Sequence, residues 1–170
     1  MGLRTPLYEP LRLRRMEGLS LIGAYRALER VPLGKRVFSF AYQCAAPYFL
    51  TIPAQVTDVV PGVARAKMWD TPWVHNHLGT VHAIALCNLA EYAMGAAAEA
   101  TVPPTHRWVP KGMTVAYIAK ARGTMRAVAT LDLPEPLQER QEIPVAVSVV
   151  DERFAEVFTA EIRIWVTVKK

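Results

Sequence analysis

At 170 residues the chain is long enough for one domain of ordinary size, or one domain plus an extension. An apolar share of 52% against 21% charged describes a packed globule and excludes an intrinsically disordered chain. The net charge of +5 suits an anionic ligand, but Lys and Arg are spread along the chain and no basic helix is interleaved with aromatics, so nucleic acid is not an expected partner. Charges or prolines interrupt every apolar run, and no compact apolar core followed by a small-residue cleavage site opens the chain. The expectation is a cytoplasmic, soluble protein without a membrane partner. Cys44 and Cys87 lie in apolar segments outside any C-x-x-C motif and are expected to be buried, reduced thiols.

Residues 1–46 read as a helical extension. Leu19, Ile22, Leu28 and Val31 fit an amphipathic helix that stops near Pro32-Leu33-Gly34, and a second helix runs from Lys35 to Ala46 before Pro47 ends it. Both are expected on the outside of a main domain spanning 47–170. From Tyr48 the apolar period changes to two and predicts a strand to Thr57, with Pro53 marking an edge or a bulge. A turn at Pro61-Gly62 leads into a strand from Val63 to Trp69. A loop from Asp70 to Leu78 follows, then a long apolar helix from about Gly79 to Thr101, stopped by Pro103-Pro104. Two strands, Met113–Lys120 and Thr124–Leu133, flank a turn at Arg122-Gly123. Two more, Ile143–Val150 and Phe154–Val168, flank Asp151-Glu152-Arg153. In the last, Phe158, Ala160, Ile162, Ile164, Val166 and Val168 share one face. The order is that of an α+β domain. A helix apolar nearly all round must be covered on most sides, and a curved, largely antiparallel sheet wrapped around it does so.

The chemistry concentrates where the loop becomes that helix, at Asn76-His77-Leu78-Gly79-Thr80-Val81-His82-Ala83. A helix start offers unpaired N–H groups and a positive dipole end to an oxygen that gains negative charge. Glu91 then stands two turns into an apolar helix, where a carboxylate is costly to bury unless something uses or pairs it. Together these point to acyl transfer. Lys67, Lys111, Lys120, Arg122 and Arg126 are candidates to meet the phosphates of an anionic substrate. His75-x-His77 offers two nitrogens but no third ligand at a zinc spacing, so no metal is expected.

Asn76, five residues, His82, Ala83, seven residues and Glu91 make a pattern that resembles the hotdog-fold acyl-CoA thioesterases. It is most similar to the phenylacetate-pathway branch, which includes a group with an N-terminal helical extension. Tyr117-Ile118-Ala119-Lys120-Ala121-Arg122-Gly123 resembles that family's aromatic–aliphatic strand ending in a basic turn. The resemblance covers about residues 48–168. It implies that Glu91 acts as nucleophile or general base, that the Ala83 N–H polarises the thioester carbonyl, and that Asn76 positions water or substrate. It also implies that His82 fixes the loop or contacts the thioester. Gly79 is a candidate substrate contact, and Thr114 a candidate for the polar residue that relatives supply from the strand after the helix. Ala83 stands where Gly is usual, and Glu91 where this branch has Asp. The implied site is shared between two subunits of a homodimer or dimer of dimers, with coenzyme A as part of the substrate and no other cofactor. Two alternatives are a non-catalytic acyl-CoA-binding protein and a 3-hydroxyacyl thioester dehydratase, for which His77 and Glu91 have a fourteen-residue spacing.

Overall fold

The computed structural model describes residues 20–169. Helices α1 (Leu21–Leu28) and α2 (Gly34–Ala45) precede strands β1 (Ala54–Val60) and β2 (Val63–Met68), the long helix α3 (Ala83–Thr101), and strands β3 (His106–Tyr117), β4 (Met125–Leu131), β5 (Arg140–Val150) and β6 (Glu156–Val168). The strands form one curved antiparallel sheet in the order β1-β2-β4-β5-β6-β3. Among the described residues no helix is long and apolar enough to cross a membrane.

The sheet wraps α3 because small residues let it come close. Ala90, Ala93, Ala96 and Ala97 on α3 are fully buried, and the helix packs chiefly on β4 and β2. Those two strands set Ala64 opposite Ala129 and Ala66 opposite Ala127, all buried. On the flank, Phe158, Ala160, Ile162, Ile164 and Val166 of β6 are buried as the alternation predicts, while Val168 is exposed.

The two outer strands are treated differently. On β1, the Val56 N–H donates to Ser39 Oγ at 2.9 Å, and the Thr57 carbonyl accepts from Tyr25 Oη at 2.7 Å and from Lys35 Nζ at 2.8 Å. Gln43 Nε2 donates to the Ala54 carbonyl at 3.3 Å. Side chains of α1 and α2 thereby seal this edge. β3, at the other end of the sheet, has β6 on one side only.

Four expectations need correction. Residues Pro47–Thr51 form a 3-10 turn and β1 starts at Ala54; Phe49 rather than Tyr48 is buried, because Pro47 starts a turn that packs on α3. α3 begins at Ala83 rather than Gly79, since the intervening residues close a turn and cap the helix. β3 begins at His106, and the chain after Tyr117 crosses to β4 instead of forming a hairpin, because β3 pairs with β6. Cys44 and Cys87 are free thiols, but half-buried.

Tyr42 of α2 lies beside Tyr92 of α3, ring centroids 5.2 Å apart. Burial pushes the Tyr92 hydroxyl from 10.0 up to about 12 and raises Tyr42 in the same direction. Both groups keep their protons in the fold at pH values where the unfolded chain has released them, so their contribution is intact below pH 10 and falls as pH rises toward about 12. Urea midpoints are expected to drop across that window, and less steeply in Tyr92→Phe; equal slopes for the two proteins would contradict the assignment.

Candidate functional site

The loop between β2 and α3 is built on side chains that satisfy backbone groups. Asp70 Oδ2 accepts from the Gly123 N–H at 2.7 Å, and its other oxygen pairs with His75 Nε2. His75 bridges Val81, the Asn76 N–H donates to the Thr80 carbonyl at 2.8 Å, and the Gly79 N–H donates to the Asn76 carbonyl at 3.0 Å. Gly79 takes φ +66°, the left-handed conformation that closes a three-residue hairpin loop. Asn76 Oδ1 accepts from the N–H groups of Leu78 at 2.9 Å and Thr80 at 3.3 Å. Asn76 is thus committed to holding the turn. His77, Leu78 and Gly79 stand exposed at its tip.

The Val81 N–H donates to Ala121 O at 2.9 Å, which lays the segment carrying exposed Lys120 and Arg122 beside the start of α3. His82 is the N-cap: its Nδ1 accepts from the Ile84 N–H at 3.0 Å. A backbone N–H can only donate, so Nδ1 is bare and the neutral ring carries its proton on Nε2, on an exposed side chain. The half-buried Ala83 N–H has no hydrogen-bond partner among the described residues.

Ala83, Cys87 and Glu91 follow at four-residue intervals on one stripe of α3, all half-buried on a helix otherwise largely enclosed. On one side of the stripe Cys87 Sγ meets Tyr117 Oη at 3.3 Å. On the other, Asn88 Nδ2 donates to Thr51 Oγ1 at 2.9 Å. The Glu91 carboxylate makes no hydrogen bond or ion pair among the described residues. Eight residues at 1.5 Å each separate Ala83 from Glu91 by about 12 Å along the axis.

The remaining candidates lie elsewhere. Thr114 is exposed and opposite Glu161, on the convex face away from α3. Arg126 is on that same face, its guanidinium 5.1 Å from the Phe154 ring centroid and donating to the Asp151 carbonyl at 3.5 Å. The structure therefore gathers Asn76, Gly79, His82, Ala83, Lys120 and Arg122 at the helix entrance, with Glu91 two turns along, and sets Thr114 and Arg126 apart. Sequence reasoning missed two partners: Asp70 for His75, and Tyr117 for Cys87. The first was within reach, since Asp70 precedes His75 by five residues in one loop; the second joins strand and helix and has no local signal.

A long buried helix gripped by an antiparallel six-stranded sheet defines the hotdog fold. Solved structures share it. A structural-genomics protein, APC5556, is 38% identical with a TM-score of 0.75, over 88% of this chain and 99% of that one. A Pseudomonas aeruginosa protein described as a probable thioesterase is 21% identical with a TM-score of 0.71, over 81% and 98%. A Haemophilus influenzae thioesterase is 12% identical with a TM-score of 0.67, over 79% and 90%. The chain belongs to the DUF4442 family, a domain of unknown function, whose model matches residues 34–166. No curated protein matches it.

The contact with Cys87 raises the Tyr117 hydroxyl from 10.0 to about 12. Ultraviolet titration of Cys87→Ala is expected to return Tyr117 toward 10.0. An unchanged titration would mean that the contact does not form in solution.

Proposed function

We propose that the protein is a thioesterase that hydrolyses an acyl-CoA as a homo-oligomer, with the Ala83 N–H of one protomer facing the partner's Glu91. The observation that carries this reading is the stripe itself: an unpaired N–H at a helix start and an unpaired carboxylate on one half-open face of an otherwise buried helix. A single thioester cannot use both groups of one helix, because about 12 Å separates them while a hydrogen bond spans about 3 Å. An antiparallel second copy of α3 would bring each N–H to the other's carboxylate. The open β3 edge and the exposed apolar side chains near the stripe, Leu50, Ile84, Tyr117 and Ile118, are surfaces for such a copy. Pro110 and a bulge at Lys111 interrupt that edge and leave Gly112–Tyr117 as its continuous stretch. Descriptions of the Pseudomonas and Haemophilus proteins as thioesterases point the same way.

In this reading the thioester carbonyl oxygen accepts from the Ala83 N–H, and the exposed His82 Nε2–H is a second donor close by. The partner's Glu91 takes a proton from water as the water oxygen bonds to the carbonyl carbon. Collapse of the tetrahedral intermediate breaks the C–S bond, and the carboxyl returns its proton to the departing CoA thiolate. Lys120 and Arg122, beside the entrance, are placed to attract the phosphates.

Free-thiol release across short, long and aromatic acyl-CoAs tests this directly. Glu91→Gln is expected to lower kcat by about 100- to 10,000-fold, the range for a positioned acid–base group. Ala83→Pro removes the N–H at the first helical position, where proline is tolerated, and is expected to lower kcat by about 100- to 1,000-fold. Circular dichroism should be unchanged in both. Full turnover by Glu91→Gln would refute the role, and binding of acyl-CoA without any turnover by the natural protein would mark a carrier instead.

A further inference from the structure

Helix α2 turns its polar side inward and its apolar side outward. Inward, Ser39 Oγ accepts from the Val56 N–H at 2.9 Å, Gln43 Nε2 donates to the Ala54 carbonyl at 3.3 Å, and Lys35 Nζ donates to the Thr57 carbonyl at 2.8 Å. Of its buried side chains only Phe38 is large and apolar. Outward, Leu33, Val37 and Phe40 follow at intervals of four and three residues and so share one helical face. Each of them, and Val31 in the loop before, is more than half exposed. A helix on the surface of a globular protein normally shows the reverse pattern. Leu33 also holds φ +61°, a conformation that glycine takes without strain, while its side chain stands exposed.

Charge gathers at the same place. Residues 1–46 contain eight Lys and Arg against three Glu, while residues 47–170 contain twelve Lys and Arg against twelve Asp and Glu. The extension therefore carries the entire net charge of +5. Among the described residues the guanidinium groups of Arg26, Arg30 and Arg36 are exposed and have no ion pair or hydrogen bond. Glu29 is the only carboxylate between Ser20 and Thr57. Arg30 adjoins Val31 and Arg36 adjoins Val37, which puts cations at the margin of the apolar face.

We infer that this face docks on an anionic lipid surface. An apolar strip rimmed by arginines suits a bilayer interface, where Leu, Val and Phe enter the acyl boundary while guanidinium groups stay among the phosphates. A second copy of the chain is the wrong occupant, because a two-fold contact on this face would set Arg30 and Arg36 against their own counterparts. Residues 1–19 add Arg4, Arg12, Arg14 and Arg15 against Glu9 and Glu17. So diffuse a positive charge matches a charged surface better than one fitted set of carboxylates. Such docking needs no spanning helix and departs from the expectation of no membrane partner. α2 packs on β1, at the other end of the strand order from the open β3 edge, so docking and self-association use different surfaces.

Co-sedimentation of the full-length protein with vesicles tests the inference. Binding is expected to phosphatidylcholine vesicles that contain phosphatidylserine, to fall as salt is raised, and to be absent with phosphatidylcholine alone. Arg30→Gln and Arg36→Gln are each expected to weaken binding about five-fold, the share of one arginine at a charged membrane surface. Phe40→Ser is expected to weaken it by about ten-fold or more. Arg140→Gln, which removes the same charge from an exposed position on β5, is expected to change nothing, and this separates a docking face from net charge alone. Circular dichroism should be the same in all four variants. Sedimentation with neither vesicle, equal sedimentation with both, or binding indifferent to Phe40→Ser overturns the inference, as does an Arg140→Gln effect equal to that of Arg36→Gln. Retention on polyglutamate without vesicle binding would overturn it in favour of an acidic protein, and a dimer dissociated by Phe40→Ser in favour of a second copy. None of these outcomes depends on thioester turnover.

Discussion

Ala90, Ala93, Ala96 and Ala97 give α3 only methyl groups over much of its surface, and Ala64, Ala66, Ala127 and Ala129 line the strands it packs on. That close contact sets the curvature of the sheet and the orientation of the helix. It leaves no room for adjustment, since extra methylenes in a packed core cost about 1–3 kcal/mol each. Once α3 is held this way, one stripe of it stays half-open. Ala83, Cys87 and Glu91 occupy that stripe as a consequence of helical spacing. The candidate site is thus what the core contact leaves uncovered.

The N-terminal helices add a second constraint. By placing Ser39, Tyr25, Lys35 and Gln43 on the backbone groups of β1, they remove one sheet edge as a template for pairing. Among the described residues only β3 remains open, and β3 carries Tyr117, the residue that flanks the α3 stripe through Cys87. The homo-oligomer proposed above uses the open edge, on the side where the stripe lies. The same helix α2 that seals β1 also walls a cavity beside Gln55.

Much of this was legible in the sequence because burial imposes a period. The long apolar helix, its stop at Pro103-Pro104 and the strict alternation of β6 each follow from a face that must avoid water. Where a pattern says nothing about neighbours, sequence reading failed. Met113–Lys120 and Thr124–Leu133 looked like a hairpin across Arg122-Gly123, yet alternation defines the faces of a strand and not its partners. Tyr48–Thr51 alternated by coincidence, and Pro47 turned that stretch into a 3-10 turn. At the site, the family resemblance put Ala83 at the start of the helix, where the structure has it, although the apolar pattern alone started the helix near Gly79. The commitment of Asn76 to its own turn was not readable, since it depends on Thr80 and Gly79 adopting one closed loop. Thr114 stands on the face away from α3, because one residue along a strand changes the face.

Pairing of two defective chains tests the shared site most directly. Glu91→Gln and Ala83→Pro subunits, each inactive alone, are unfolded together and refolded as mixed dimers. A site divided between protomers leaves one intact catalytic pair in each mixed dimer, so thiol release should return to about half the natural activity per mixed dimer. If both groups act within one chain, every site keeps a defect and the mixture stays as inactive as its parents, which would contradict the account.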